Sequence, residues 1–168
     1  MIKLPQYLMN FSLYVSGKGY AGKVEKITPP KLAYKTEEYR GSGMDAPIEI
    51  ELGMEKLACQ FTIHSYDAEL FALWGLVPGN QVNIALRGCM TQGGVEKSVE
   101  LMLQGSWKSF DMGEWVAGTK AGLMVEVSAQ YYALSINKMP VILIDIPNHK
   151  RIIGGVDQLA NMRQMLKL

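Results

Sequence analysis

Residues 123–136 read Leu-Met-Val-Glu-Val-Ser-Ala-Gln-Tyr-Tyr-Ala-Leu-Ser-Ile and form the longest strand-like stretch of the chain. One set of alternate positions holds Val125, Val127, Ala129 and Tyr131, and the other holds Met124, Glu126, Ser128 and Gln130. A repeat of two places successive side chains on opposite faces of a β-strand. The segment therefore predicts a long strand with one apolar face turned to a core and one outer face.

Strand-like segments continue on both sides of this stretch. They cover residues 7–15, 21–27, 31–39, 48–52, 58–64, 81–90, 95–110 and 141–146. Glycine, proline or asparagine separates most of them, as at residues 17–19, 29–30, 41–47, 92–94 and 137–140. A break is expected at Gly105 and a loop over residues 111–118. Such turns between strand-like segments favour a mostly antiparallel sheet.

Two segments have helical spacing. In residues 67–76 the apolar side chains are Leu70, Phe71, Leu73 and Trp74, with Asp67 as a cap and Gly75, Pro78 and Gly79 as stop signals. In residues 156–166 they are Val156, Leu159, Ala160, Met162 and Met165, with Asp157 near the start and Lys167 near the end. We therefore expect one short central helix and one C-terminal helix in a mainly β fold.

Composition limits the possible functions. The chain has 168 residues, 48% hydrophobic and 20% charged, which suits a single domain spanning residues 1–168. Its net charge of +1 shows no basic excess of the kind that general nucleic-acid binders carry. Near-neutrality also removes one barrier to self-association.

The sequence gives no sign of membrane insertion or export. No apolar run approaches the roughly 20 residues that cross a bilayer. Pro5 and Asn10 interrupt the first fifteen residues, so we expect no signal peptide, and synthesis in the cytoplasm. Cys59 and Cys89 lack metal-site spacing and are expected to be buried, reduced thiols.

Several patterns have the form of chemical motifs but lack the required context. Residues 17–22 match the dinucleotide-binding pattern G-x-G-x-x-G. That pattern requires a following helix to hold the pyrophosphate, but the sequence that follows here is strand-like. A glycine-rich hairpin turn is the better interpretation. His64 lies beside Ser65 and Asp67, but catalytic triads are defined in space and no G-x-S-x-G elbow is present.

Other candidate sites are equally weak. The carboxylates Glu37, Glu38, Asp45 and Glu49 surround a loop, and Trp74, Trp107 and Trp115 are more typical of packing than of a sugar platform. No cluster of cysteine and histidine has metal-ligand spacing. We therefore assign no catalytic, cofactor-binding or metal-binding residue and expect no cofactor.

One segment resembles a known family. Pro30 and residues 31–47, Lys-Leu-Ala-Tyr-Lys-Thr-Glu-Glu-Tyr-Arg-Gly-Ser-Gly-Met-Asp-Ala-Pro, are similar to P-K-L-x-x-K-T-E-E-Y-R-G-G-G-M of the major tail tube proteins of contractile-tailed bacteriophages. Ser42 departs from the family's glycine. Weaker similarity covers most of the chain in order, through residues 7–15, Gly19, Gly22 and residues 111–114, 131–137, 145–146 and 155–160.

The resemblance implies an antiparallel β-sandwich or partial barrel with one central short helix and a C-terminal helix. It also implies a virion protein, made in the host cytoplasm, whose hexameric rings stack into the hollow inner tube of a contractile tail. Its partners would be other copies of itself, the tail sheath, and the baseplate, tape-measure and terminator proteins. DNA would pass through the lumen, without stable membrane insertion.

Within this family the expected subunit contacts are an extended hairpin around residues 31–64 and a loop after residue 110. The candidate interface residues are Thr36, Glu37, Glu38, Tyr39, Arg40, Gly41, Gly43, Met44, Asp45, Asp111, Met112, Gly113 and Glu114.

Three alternatives stay open. The first is the tube of a phage-tail-like bacteriocin or secretion machine, and the second is a tail terminator, baseplate or sheath-associated protein that forms single rings. The third is a small β-barrel enzyme or binding module that uses His64.

Overall fold

A computed structural model describes residues 4–75 and 81–168. The strands are β1 Tyr7–Val15, β2 Lys18–Gly19, β3 Val24–Thr28, β4 Tyr34–Tyr39, β5 Ile48–Met54, β6 Leu57–Ile63, β7 Val82–Gln92, β8 Val95–Asp111, β9 Leu123–Ile136, β10 Met139–Asp145, β11 Lys150–Ile153 and β12 Val156–Asp157. The helices are α1 Ala68–Ala72 and α2 Ala160–Leu166. The predicted class, mainly β with two helices, is confirmed.

The main sheet has ten strands, and β9 is its centre. One edge of β9 pairs with β8, while β6 and β10 share the other edge, β6 opposite residues 123–129 and β10 opposite residues 131–136. Outward from β8 follow β7, β1 and β2, and outward from β10 follow β11 and β12, with β3 on β6. All pairs are antiparallel, as predicted, and the described strands do not close into a barrel.

The change of partner along β9 coincides with a β-bulge at Gln130. Gln104 pairs with Tyr131 and Gly105 with Ala129, so Gln130 is an extra residue in β9. The break predicted at Gly105 is therefore a bulge within one continuous strand. The extra residue also shifts the alternation, so that Tyr132 is buried (6% exposed) and not Tyr131, whose predicted place on the core face is wrong.

The core lies on the inner faces of the long strands. Phe61, Leu103 and Val127 are among its fully buried side chains, contributed by β6, β8 and β9. The helix α1 adds Leu70, which is completely buried. Burial of large apolar side chains contributes roughly 1.5–3 kcal/mol each, so these strands supply most of the stabilisation.

The central helix is shorter than the prediction of residues 67–76. Asp67 is the N-cap, as predicted, and its carboxylate accepts a hydrogen bond from the Glu69 amide at 3.1 Å. Leu73 caps the C-terminal end, and Gly75 follows with a φ of +74°. Leu76 and the predicted stop signals Pro78 and Gly79 lie outside the described residues.

The C-terminal helix also differs from its prediction. Val156 and Asp157 pair with β11 as strand β12, so the helix begins only at Ala160. Its apolar side chains do not reach the core, since no residue of α2 is buried. Arg163 attaches the helix by hydrogen bonds to Asp157 and to the His149 carbonyl.

The two cysteines are free, as expected, but differ in burial. Cys59 is buried in β6, whereas Cys89 in β7 is only partly buried, contrary to its prediction. Among the described residues, no helix has the length and apolar character needed to span a bilayer.

Candidate assembly surfaces

The segment predicted to contact other subunits contains a hairpin that stands apart from the main sheet. Among the described strands, β4 and β5 pair only with each other, as a separate two-stranded sheet, and we call Tyr34–Met54 the hairpin. The rest of the 31–64 segment differs, because Leu57–Ile63 is the core strand β6. Every residue of β4 is exposed, and so is β5 except Met54, which is partly buried. An isolated pair of strands is only marginally stable in water, and most residues on both faces of the hairpin are exposed to a possible partner.

Strand alternation gives the two faces different chemistry. One face carries Tyr39, Ile48, Ile50 and Glu37. Across the two strands, Tyr39 pairs with Ile48 and Glu37 pairs with Ile50. The other face places Glu38 directly opposite Glu49. Like charges in directly opposed positions are destabilising unless a cation lies nearby.

The hairpin is acidic relative to the rest of the chain. Residues 34–54 contain five acidic and two basic side chains, which gives −3 and leaves +4 on the remaining residues of a chain with net charge +1. None of these seven charged side chains forms an ion pair with another described residue. The hairpin therefore has charge available for another molecule.

The tip of the hairpin is closed by a compact turn, which we call the tip turn (residues 41–44). The Met44 amide donates to the Gly41 carbonyl at 3.3 Å, and the Arg40 Nε donates to the Met44 carbonyl at 3.1 Å. The Gly41 amide contacts the Met44 sulfur at 3.1 Å. Only Gly43 has a positive φ, +84°, so Ser42 occupies a position that does not require glycine.

The second predicted contact lies in the connection between β8 and β9, residues 112–122, which we call the Trp115 loop. At its start the Gly113 amide donates to Asp111 Oδ1 at 2.8 Å. The Tyr66 hydroxyl donates to the Met112 carbonyl at 3.3 Å and accepts from Trp115 Nε1 at 3.1 Å. One tyrosine thus holds both the backbone and the exposed indole of the loop.

Tyr66 also connects the loop to the core through aromatic contacts. Its ring lies 6.0 Å from Phe71, which lies 5.3 Å from Phe110, and Phe110 stacks on Trp107 at 5.3 Å. The series, which we call the aromatic array, ends at Phe61 in the core, 5.5 Å from Trp107. Successive rings at 4.5–7 Å stabilise one another, so the array gives the loop a rigid base.

Beside Trp115 is a pocket of about 300 Å³. It is lined by Tyr66, Glu114, Trp115, Val116, Ala117, Thr119, Lys120 and Ala121. Trp115 is 77% exposed and Val116 is 58% exposed, which is unusual for such large apolar side chains. The sequence pattern predicts a packing role for Trp115 and does not identify Val116, although Trp-Val directly follows the D-M-G-E segment.

The two predicted contact regions lie at opposite ends of the same strand. The hairpin joins β6 just before Leu57, which pairs with Ala129, whereas Ile63 pairs with Leu123 next to the end of β8 at Asp111. Six strand residues at about 3.3 Å each separate these ends by roughly 20 Å. The structure therefore presents two separate surfaces and not one combined site.

The alternative site around His64 lacks catalytic geometry. His64 Nε2 lies 2.9 Å from Glu25 Oε2, and Nδ1 is buried without a hydrogen-bond partner among the described residues. Asp67 is engaged elsewhere, since Lys18 Nζ lies 2.7 Å from its carboxylate. The hydrogen bonds from Lys18 and from the Glu69 amide lower the pKa of Asp67.

The glycine pattern at residues 17–22 also has a structural explanation. Val15 pairs with Lys18 across a tight turn, and strand β3 follows, which confirms the hairpin-turn interpretation. No group of three or more potential metal ligands occurs within residues 4–75 and 81–168.

The family to which this chain belongs follows from its similarity to known proteins. The family model described as phage tail tube protein FII matches residues 5–166. The chain belongs to the phage tail tube protein family. It is thus a structural component of the virion tail and not an enzyme, as predicted.

Two phage relatives have the same character. The chain is 27% identical to the tail tube protein of Escherichia phage P2, over 98% of this chain and 99% of the relative. It is 30% identical to the major tail tube protein of Serratia phage KSP20, over 86% of this chain and 85% of the relative. The chain is therefore a tail tube protein of this contractile-tailed group. Most of the segment with the most specific resemblance to the family, residues 31–47, lies on the hairpin.

The fold is shared more widely. The tail tube chain matches, with a TM-score of 0.62 and 15% identity, a chain of the cryo-EM structure of the PVC sheath/tube terminator, from an extracellular contractile injection system in its extended state. The match covers 80% of this chain and 99% of that chain.

Proposed function

We propose that the protein assembles as stacked hexameric rings that form the hollow inner tube of a contractile tail, the conduit for DNA delivery through the host envelope. The observation that carries this proposal is the hairpin Tyr34–Met54, which folds outside the main sheet and exposes both faces. A segment that buries little of its surface against its own chain is stabilised when another subunit covers it.

Ring formation is supported by free sheet edges. Strand β2 covers β1 only at Tyr14 and Val15, so Tyr7–Leu13 has one neighbour among the described strands. Strand β3 likewise pairs only with β6. Free edges invite further strands, and a closed ring of subunits removes them.

Stacking is supported by the separation of the two candidate surfaces. A contact between different surfaces of identical subunits is heterologous, and when it does not close it produces a filament. The hairpin and the Trp115 loop, at opposite ends of β6, suit such a contact between successive rings.

Near-neutral total charge suits a lumen through which DNA passes, because cationic walls would retain phosphate.

In this proposal the sheath protein surrounds the tube, and baseplate, tape-measure and terminator proteins act at its ends or within it.

A second candidate is a tube of a bacteriocin or secretion machine, or a terminator ring. It is favoured by the fold shared with a chain in the structure of the sheath/tube terminator of an injection system. A terminator would form single rings that do not elongate.

Negative-stain electron microscopy across a protein concentration series tests the proposal. Hollow tubes with six-fold end views are expected, while single rings at all concentrations would favour a terminator.

Deletion of residues 41–45 is expected to block tube growth and leave circular dichroism unchanged, because this tip contributes nothing to the core. Tubes of normal length from the deletion variant would contradict the role of the hairpin.

A further inference from the structure

The pocket beside Trp115 has the properties of a receptor for one large apolar side chain. The indole is exposed yet held in place by the hydrogen bond to Tyr66 and by the aromatic array. Exposed, preorganised aromatic side chains are typical of the few residues that dominate binding energy. Glu114 and Lys120 on the pocket wall add one charge of each sign.

The apolar face of the hairpin offers a matching surface. Tyr39 is 54% exposed, and it lies beside Ile48 on the paired strand. Its ring packs against Gly41, where a Cβ would come within 3.4 Å of the ring carbon Cε1 and 3.1 Å of the hydroxyl. The tip turn therefore fixes the aromatic side chain before binding, which reduces the entropy lost on association.

The charges on this face also match those of the pocket. Strand alternation places Lys35 and Glu37 on the same face as Tyr39. A hairpin seated in the pocket can therefore bring Glu37 to Lys120 and Lys35 to Glu114.

We infer that the Trp115 pocket receives the Tyr39 side chain of the hairpin from a second copy of this chain. The inference rests on the proposed stacked tube and identifies the two surfaces that join successive rings. A second copy is the occupant because the charges are complementary within one sequence. The positions at opposite ends of β6 also make the contact head-to-tail.

Charge reversal tests the pairing in the full chain. Glu37→Lys and Lys120→Glu are each expected to raise the protein concentration needed for tubes at least about fivefold. The double variant is expected to return to within about twofold of the original protein, because the pair is restored with opposite polarity. Lys138→Glu, in the β9–β10 turn, makes the same charge change outside both surfaces and should leave the concentration unchanged.

Truncation of the anchor gives a second test. Trp115→Ala is expected to raise the tube-forming concentration at least about tenfold. The matched control is Trp74→Ala, which removes another exposed indole and should have little effect. If the single reversals or Trp115→Ala leave tube formation unchanged, or if the double reversal fails to restore it, the inference is wrong while the tube itself stands.

A cross-link tests the contact even if tubes do not form in isolation. Ile48→Cys and Val116→Cys in one chain, with Cys89→Ser, are expected to give a ladder of disulfide-linked multimers at high protein concentration. A ladder arises because each chain donates a hairpin and receives another. The Val116→Cys variant alone should give dimers at most, and an absence of ladder from the paired variant would overturn the inference.

Discussion

Gly105 of β8 lies against the carbonyl oxygen of Ser128 in β9, so close that a β-carbon on Gly105 would overlap that oxygen. The same β-carbon would come within 2.7 Å of the Ala129 Cα. Both neighbours are backbone atoms of the central strand, which cannot move aside without breaking its pairing with β6. The contact sits at the bulge where β9 changes partner, so this glycine permits the branching of the sheet.

The first prediction concerns this contact. Gly105→Ala is expected to reduce the free energy of unfolding by about 3 kcal/mol or more, since the added methyl group displaces a central strand. Urea denaturation measures the change. The control is Gly122→Ala, where the nearest atom to an added β-carbon is 3.8 Å away and little loss is expected. Equal stability of the two variants would show that the strands can separate at the bulge.

The second prediction contrasts the buried tryptophan of the aromatic array with the exposed tryptophan that contacts its outer member, Tyr66. Trp107 is nearly buried between Phe61 and Phe110, so Trp107→Ala is expected to lower the free energy of unfolding by about 3–5 kcal/mol. Trp115→Ala removes an exposed side chain and should cost about 0.5 kcal/mol or less. Thermal unfolding at concentrations below assembly checks both. A large loss in the Trp115 variant would indicate a role in the fold instead of assembly.

The third prediction concerns the attachment of α2 as pH changes. The hydrogen bond from Arg163 lowers the pKa of Asp157, with a smaller contribution from the Leu159 amide. Because the folded pKa is depressed, the stabilisation is present above the ordinary carboxyl value of 3.8 and is lost as pH falls through the folded pKa. Intrinsic amide exchange slows in acid, so the quantity to compare is the protection factor. The protection factors of residues 160–166 are expected to fall between pH 5 and about pH 2 relative to those of residues 123–129, the internal reference.

Asp157→Asn provides the matched variant for this measurement. It is expected to show low protection factors in α2 already at neutral pH, with no further fall specific to the helix on acidification. Glu96→Gln, at an exposed position, should behave as the original protein does. If Asp157→Asn retained the acid-dependent release, another carboxylate would have to attach the helix.

The fourth prediction distinguishes the two thiols. Burial raises the pKa of the Cys59 thiol to about 12, so at pH 8 it is both neutral and inaccessible. Cys89 is only partly buried. A thiol-specific reagent at pH 8 is therefore expected to label Cys89 in the folded protein and both cysteines after denaturation, as mass spectrometry of the labelled peptides can show. Labelling of Cys59 without denaturation would indicate opening of β6.

Local pattern alone determined several elements of this protein. The strands Tyr7–Val15 and Leu123–Ile136 have the predicted bounds, and the turn at Gly93-Gly94 lies where it was expected. Alternation of side chains and conformational freedom at glycine are properties of a few neighbouring residues, so they can be read without knowledge of the fold. The resemblance of residues 31–47 to the tail tube family could likewise be recognised from those residues alone.

Only the tertiary structure decided which side chains of these elements are buried. Tyr132 replaces Tyr131 in the core because the bulge at Gln130 depends on pairing with β8, which no local pattern encodes. The exposure of most of the hairpin and of Trp115 likewise depends on which surfaces the other described residues leave uncovered. Burial and strand pairing are long-range properties, set by residues distant in sequence, whereas alternation and turn formation depend on near neighbours.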